Sequence, residues 1–107
     1  MAKLDDKPTL ADLQIYMKEI CAERGWDQNN HLEIFLLFSE EIGELAKAIR
    51  NHMNLYNEEK NSKPAFELEE EFADVLSYLL DLANHFNVDL EKAFREKEKV
   101  NSKRVWK

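Results

Sequence analysis

Acidic side chains are concentrated in two short segments whose spacing could bring them to one site. The first segment, EEIGE, contains Glu40, Glu41 and Glu44. The second, EFAD, contains Glu71 and Asp74. Like charges held close together raise the energy of the ionised forms, so a bound cation would stabilise such a cluster. Carboxylate oxygens without cysteine or clustered histidine favour Mg²⁺, Mn²⁺ or Ca²⁺.

Helical wheels place the carboxylates of the two segments on corresponding flanks. At about 100° per residue, the glutamates of EEIGE lie beside the apolar stripe of one helix. Glu71 and Asp74 lie on the same rotational side of the apolar stripe of the next. In an antiparallel pair of helices these flanks face the same side, so the sequence predicts a central hairpin on which five carboxylates converge. The alternative for any single glutamate is a solvated surface charge.

Capping residues and apolar periodicity predict four helices in an all-α fold. Asp12 follows Thr9 at the spacing of a capping box, and Asp89 is a typical N-cap residue. The predicted helices run from near Thr9 to Gly25, from His31 to at least Arg50, from about Ala65 to Phe86, and onward from Asp89. For both arms of the hairpin to be equally long, the second helix should break or bend between Arg50 and Asn57. The next segment would then fold back near a bound ligand.

The amino-acid composition narrows the classes of function that this protein could have. The 107 residues, 44% hydrophobic and 35% charged, are typical of one compact helical domain, 1–107. A net charge of −7 argues against binding a nucleic acid polymer. The lone Cys21 cannot form an internal disulfide, and the sequence shows neither a signal peptide nor a membrane span, so a cytoplasmic location and no membrane partner are expected. Di-iron chemistry would require Glu-x-x-His, which is missing from the sequence.

The paired motif E-E-x-x-E and E-x-x-D resembles that of the MazG-like all-α nucleoside triphosphate pyrophosphohydrolases. The flanking segments PTLADLQIYMKEICAERGWDQ, DVLSYLLDLANHFNVDLEKA and KEKVNSKR are similar to the dCTP pyrophosphatase subgroup. The resemblance covers nearly the whole chain. It implies Mg²⁺-dependent hydrolysis of a nucleoside triphosphate, expected to be a dNTP, to monophosphate and pyrophosphate in nucleotide-pool house-cleaning. Mn²⁺ is a possible substitute for Mg²⁺.

The resemblance also implies roles for the acidic residues, position by position. It assigns Glu41, Glu44, Glu71 and Asp74 as metal ligands. Glu40 would hydrogen-bond to a metal ligand without binding the metal, bind a second metal ion, or activate water, so Glu40 and Glu41 are the predicted catalytic residues. The number of metal ions stays open.

Substrate contacts are predicted from looser matches, and each has a structural alternative. Tyr78 could simply be a half-buried helix residue, Trp26 could cover the end of the first helix, and Lys97 and Arg104 could be ordinary cations at a helix C-terminus. The family pattern has tryptophan where this chain has Asn51, and histidine where it has Met17. Met17, Trp26, Asn30 and Asn51 remain unranked candidates for contacting the base. The predicted substrate-binding residues are Trp26, Asn51, Tyr78, Lys97, Asn101 and Arg104.

The small size of the predicted hairpin indicates that subunits associate. Two helices cannot cover both sides of their own apolar stripes, so an intersubunit helical bundle is expected, and the resemblance implies a homodimer or homotetramer. Gly43 inside a helix costs about 1 kcal/mol relative to alanine, and close helix approach would explain it. Two other functions remain open: a non-catalytic helical module for nucleotide binding or interaction, and phosphoribosyl-ATP pyrophosphohydrolase.

Overall fold

The computed structural model describes residues 2–53 and 64–104, and within these ranges it contains helices and no β-strand. The all-α prediction is therefore confirmed. None of the described helices combines the length and the apolar character needed to cross a membrane. The four helices are α1 (Leu10–Glu23), α2 (His31–His52), α3 (Pro64–His85) and α4 (Leu90–Ser102).

Side-chain caps fix where α1, α2 and α4 begin. At the start of α1, the Thr9 hydroxyl accepts a hydrogen bond from the Asp12 N–H at 3.1 Å, and the Asp12 carboxylate accepts one from the Thr9 N–H at 3.0 Å. This is the predicted capping box. Asn30 and Glu33 form a second capping box at α2, and Asp89 caps α4 by accepting from the Lys92 N–H at 3.1 Å. These contacts satisfy N–H groups that have no partner within their own helix.

Helix α2 ends within the range predicted for its break. Its last helical residue is His52, and Met53 forms the C-cap. Residues 54–63, which were expected to fold back near the ligand, lie outside the described residues.

The chain divides into two compact units. One comprises the described parts of Met1–Gln28 and Leu80–Lys107, and the other comprises the described part of Asn29–Leu79. The first unit has a core of Met17, Ile20, Cys21 and Leu80. The Cys21 thiol donates to the Asp81 carboxylate at 3.8 Å. Burial first, and then the neighbouring Asp81 charge, raise the pKa of this thiol to about 11.

A buried amide joins three segments of the first unit. The Gln14 side chain donates to Oδ1 of Asn84 at 3.0 Å and to the carbonyl of Val88 at 2.8 Å. Its Oε1 accepts from the N–H of Leu90, the first residue of α4, at 2.8 Å. In return, Nδ2 of Asn84 donates to the Gln14 carbonyl at 2.9 Å. The Gln14 side chain thus satisfies polar groups on α3, in the segment after α3 and at the start of α4.

The second unit consists of α2 and the portion of α3 up to Leu79, and much of its apolar surface is exposed. Among the described residues of this unit, Ile34 is the most deeply buried side chain, at 1% exposure. The exposed large apolar side chains of this unit include Leu32, Phe35, Leu36, Ile42, Ile49, Met53, Phe72, Leu76 and Leu79. A Cβ added at Gly43 would meet no atom of the described residues within 4 Å. Close approach of another described helix therefore does not explain Gly43.

Candidate active site

Three of the five predicted carboxylates converge in the second unit. Glu41 on α2 and Glu71 and Asp74 on α3 each offer a carboxylate oxygen, and these oxygens all lie within 4.8 Å of one another. Glu71 and Asp74 are three residues apart and share one face of α3. Glu41 and Glu71 are partly buried, whereas Asp74 is exposed. The three residues form the acidic cluster.

Glu71 is the most perturbed member of the acidic cluster. Burial, followed by the hydrogen bond and charge of Glu41 and the charges of Asp74 and Glu44, raises the pKa of Glu71 to about 7. Its Oε2 is buried and accepts no hydrogen bond from any residue that the structure describes. Burial and neighbouring negative charge both disfavour the ionised carboxylate. The group would therefore be stabilised by a proton or by a cation.

The donor set suits a hard divalent cation. The cluster offers carboxylate oxygens, which Mg²⁺, Mn²⁺ and Ca²⁺ prefer to nitrogen or sulfur ligands. The unpaired, buried Oε2 of Glu71 supports the same conclusion, since it is a ligand atom without another partner. The arrangement fits the metal-binding prediction for Glu41, Glu71 and Asp74.

Glu44 and Glu40 lie outside the acidic cluster. Glu44 is exposed and lines a neighbouring groove together with Glu71. The charge of Glu44 also contributes to the raised pKa of Glu71. Glu40 is exposed on α2, next in sequence to Glu41. The structure thus places Glu44 near the acidic cluster and leaves Glu40 on the surface of α2.

The groove beside the acidic cluster contains one predicted substrate residue and two that the sequence reasoning missed. Asn51 was predicted, whereas Lys47 and Glu67 were not. Glu67 lies one turn before Glu71 on the same face of α3, but neighbouring glutamates in the run ELEEE occupy other faces, so the sequence does not single it out. Late residues of α2 therefore line the groove together with early residues of α3. This is the order expected for antiparallel helices, and it is consistent with the predicted hairpin.

The remaining predicted substrate residues are distributed over both units. Tyr78, in the second unit, is partly buried and lies one turn after Asp74. In the first unit, the Arg24 guanidinium lies 4.9 Å from the centre of the Trp26 ring, and Lys97 is exposed. The Asn101 carbonyl accepts a hydrogen bond from the Arg104 N–H at 3.1 Å.

The raised pKa of Glu71 predicts a pH-dependent stability for the metal-free protein. The folded protein retains the Glu71 proton up to pH of about 7, whereas the unfolded chain releases it near its ordinary value of 4.5. The folded state therefore binds more protons between these values, and stability falls as pH rises through this range. Urea unfolding with a chelator, at pH 5.5 and pH 8, should show a smaller fall for Glu71→Gln than for the parent. Glu69→Gln, at an exposed position of the same helix, controls for the change in net charge. Equal pH dependence in all three proteins would contradict the prediction.

The sequence of the chain matches a known protein family and several individual proteins. A family model described as MazG nucleotide pyrophosphohydrolase domain matches residues 29–105. The chain is similar to dCTP pyrophosphatase 1 of Rattus norvegicus, with 34% identity over 101 residues, which is 92% of this chain and 59% of that protein. The Homo sapiens dCTP pyrophosphatase 1 is 32% identical over 108 residues, which is again 92% of this chain and 59% of that protein. The chain therefore spans about three fifths of the length of these relatives. The uncharacterized protein YvdC of Bacillus subtilis (strain 168) is 32% identical over 100 residues, which is 89% of this chain and 94% of its own length.

Proposed function

The chain belongs to the MazG nucleotide pyrophosphohydrolase family, and from this premise we propose that it hydrolyses a nucleoside triphosphate to the monophosphate and pyrophosphate. The observation that carries the proposal is the convergence of Glu41, Glu71 and Asp74 on one site in the matched region. We further propose a dNTP as substrate and nucleotide-pool house-cleaning as the role. The similarity to proteins named dCTP pyrophosphatase supports the dNTP assignment.

The acidic residues define how the site would work. Glu41, Glu71 and Asp74, joined by Glu44 from the adjacent groove, would hold Mg²⁺, with Mn²⁺ as a possible substitute. When bound, the cation supplies positive charge that stabilises the phosphate oxygens and the leaving pyrophosphate. Glu71 would bind it as a carboxylate and so release the proton that its raised pKa retains in the metal-free protein.

Glu40 is proposed as the residue that activates water. Glu40 is exposed on α2 and next in sequence to Glu41, and its carboxylate would orient a water molecule and accept a proton from it. The water oxygen would form a bond to the α-phosphorus, and the bond between that phosphorus and the oxygen bridging to the β-phosphorus would break. Pyrophosphate would depart with the electron pair of that bond.

The remaining parts of the proposal concern the substrate and the assembly. The residues proposed to contact the nucleotide are Trp26, Asn51, Tyr78, Lys97, Asn101 and Arg104. We propose that residues 1–107 act as one domain, which is supported by a family match that includes residues of both units. The exposed apolar side chains of α2 and α3 support a homodimer or homotetramer with an intersubunit helical bundle. The free Cys21 thiol is in keeping with a reducing cytoplasm.

Isotope labelling tests which phosphorus is attacked. The purified protein is incubated in ¹⁸O water with Mg²⁺ and each dNTP, NTP and phosphoribosyl-ATP in turn, and the products are analysed by mass spectrometry. We expect intact pyrophosphate without label and one ¹⁸O in the monophosphate. Label confined to pyrophosphate would disprove attack at the α-phosphorus, and no hydrolysis of any compound would favour a non-catalytic module. Cleavage of phosphoribosyl-ATP alone would reassign the substrate.

A further inference from the structure

An open groove of about 240 Å³ adjoins the acidic cluster within the second unit. Glu71 belongs to both the groove and the cluster, so a substrate whose phosphates bind at the cluster could extend into the groove. Among the lining residues, three are carboxylates and Lys47 alone has a cationic side chain, so hydrogen-bond acceptors predominate. The lining residues are Glu44, Lys47, Ala48, Asn51, Glu67 and Glu71.

Asn51 contributes an acceptor that lacks a donor. The residue is only 4% exposed, and its Oδ1 is buried with no hydrogen-bond partner among the described residues. Buried side-chain oxygens normally accept a hydrogen bond, so an unpaired one in the wall of a groove indicates a missing donor. An N–H group of a bound molecule would supply that donor.

Glu67 provides a second acceptor in the same groove. It is partly buried and lies one helical turn before Glu71 on α3. An ionised carboxylate only accepts hydrogen bonds. On α2, Asn51 follows Glu44 by seven residues, about 10 Å along the helix, a spacing on the scale of a nucleoside. Asn51 and Glu67 thus offer two acceptor groups in one groove, and a group that donates two hydrogen bonds would suit them.

We propose that Asn51 and Glu67 bind the exocyclic amino group of the nucleobase, and that the protein therefore prefers amino-bearing bases to their oxo counterparts. The inference rests on the proposed function, because it assigns the base end of the same triphosphate. An amino group can donate one hydrogen to Oδ1 of Asn51 and the other to the Glu67 carboxylate. An oxo group would turn its lone pairs toward both acceptors and leave them unpaired, which is unfavourable in a buried site.

Two nucleotide pairs that differ at the amino position test the proposal. The ratio of kcat/KM values is measured for dCTP over dUTP and for dATP over dITP. We expect the amino member to be preferred by about tenfold to hundredfold in the pyrimidine pair, and in the purine pair as well if purines are hydrolysed. Equal kcat/KM values for dCTP and dUTP, or a preference for dUTP, would overturn the proposal.

Substitutions assign the preference to the two residues. Asn51→Leu removes the acceptor at nearly constant size and should reduce the dCTP/dUTP ratio to about threefold or less, as should Glu67→Leu. Asn51→Asp and Glu67→Gln each keep an acceptor oxygen and should retain the preference for dCTP. Asn29→Leu makes the same change at an exposed residue outside the groove and should leave the ratio unchanged. A parental ratio in both leucine variants would show that other residues select the base.

Binding measurements separate this inference from the proposed function. Calorimetric titration with the α,β-imido analogues of dCTP and dUTP reports base preference without cleavage. If no triphosphate is hydrolysed but the dCTP analogue still binds more tightly, the proposed function fails and the amino-group assignment stands. If both nucleotides are hydrolysed and bound equally, only the amino-group assignment fails.

Discussion

Glu71→Gln is expected to lower the rate of pyrophosphate release by at least about a hundredfold. Glu71 contributes to the acidic cluster and also lines the adjacent groove. Glutamine retains the size and one carbonyl oxygen but loses the negative charge that attracts a divalent cation. The measurement is steady-state pyrophosphate release at saturating Mg²⁺, together with calorimetric Mn²⁺ affinity, which should weaken in parallel.

The other members of the predicted metal site should behave in the same way. Glu41→Gln, Glu44→Gln and Asp74→Asn are each expected to lose most turnover. Each should leave the metal-free fold as stable as the parent or slightly more stable, because each removes like-charge repulsion. Glu69→Gln is the matched control and should retain parental activity. Melting of the variants at Glu41, Glu44, Glu71 and Asp74 far below the parent in chelator would show that these carboxylates are structural.

Gln14→Leu is expected to destabilise the protein by about 2–4 kcal/mol. The substitution preserves most of the side-chain volume but leaves the Leu90 N–H, the Asn84 Oδ1 and the Val88 carbonyl without the bonds they make to Gln14. Gln14 is only 8% exposed, so water has little access to replace those bonds. The free energy of unfolding is measured by urea titration in the presence of chelator.

Gln28→Leu is the control for the loss of an amide. Gln28 is exposed, and its side chain bonds to the adjacent Asp27. We expect a change of less than about 0.5 kcal/mol there. A Gln14 variant as stable as this control would mean that the buried amide network contributes no net stability.

The helix boundaries were predictable because they depend on short-range chemistry. Thr9 with Asp12, and Asp89 with the N–H of Lys92, interact over three residues. The end of α2, at His52, lies within the range expected for two hairpin arms of equal length. Such contacts and lengths can be inferred directly from the order of residues.

The acidic cluster was predictable for a related reason, whereas Gln14 and Glu67 were not. The two motifs repeat one pattern on two helices, and the structure brings Glu41, Glu71 and Asp74 together. Gln14 instead bonds to residues about 70 positions away, and an isolated glutamine in a helix is ordinarily a surface residue. Glu67 lies in a run of acidic residues, ELEEE, so its sequence does not distinguish the groove from solvent. Long-range contacts of single polar residues require the three-dimensional fold.

Chemical modification of the buried Cys21 thiol can report local opening of the first unit. Alkylating reagents attack the thiolate, and this thiol is both enclosed in the core and hydrogen-bonded to Asp81, with a pKa of about 11. Modification of the native protein must therefore wait for α1 to separate from Leu80 and Asp81. Because the chain contains one cysteine, the growth of a single mass-shifted peak against time measures how often that opening occurs. The measurement uses the unaltered sequence and requires no introduced probe residue.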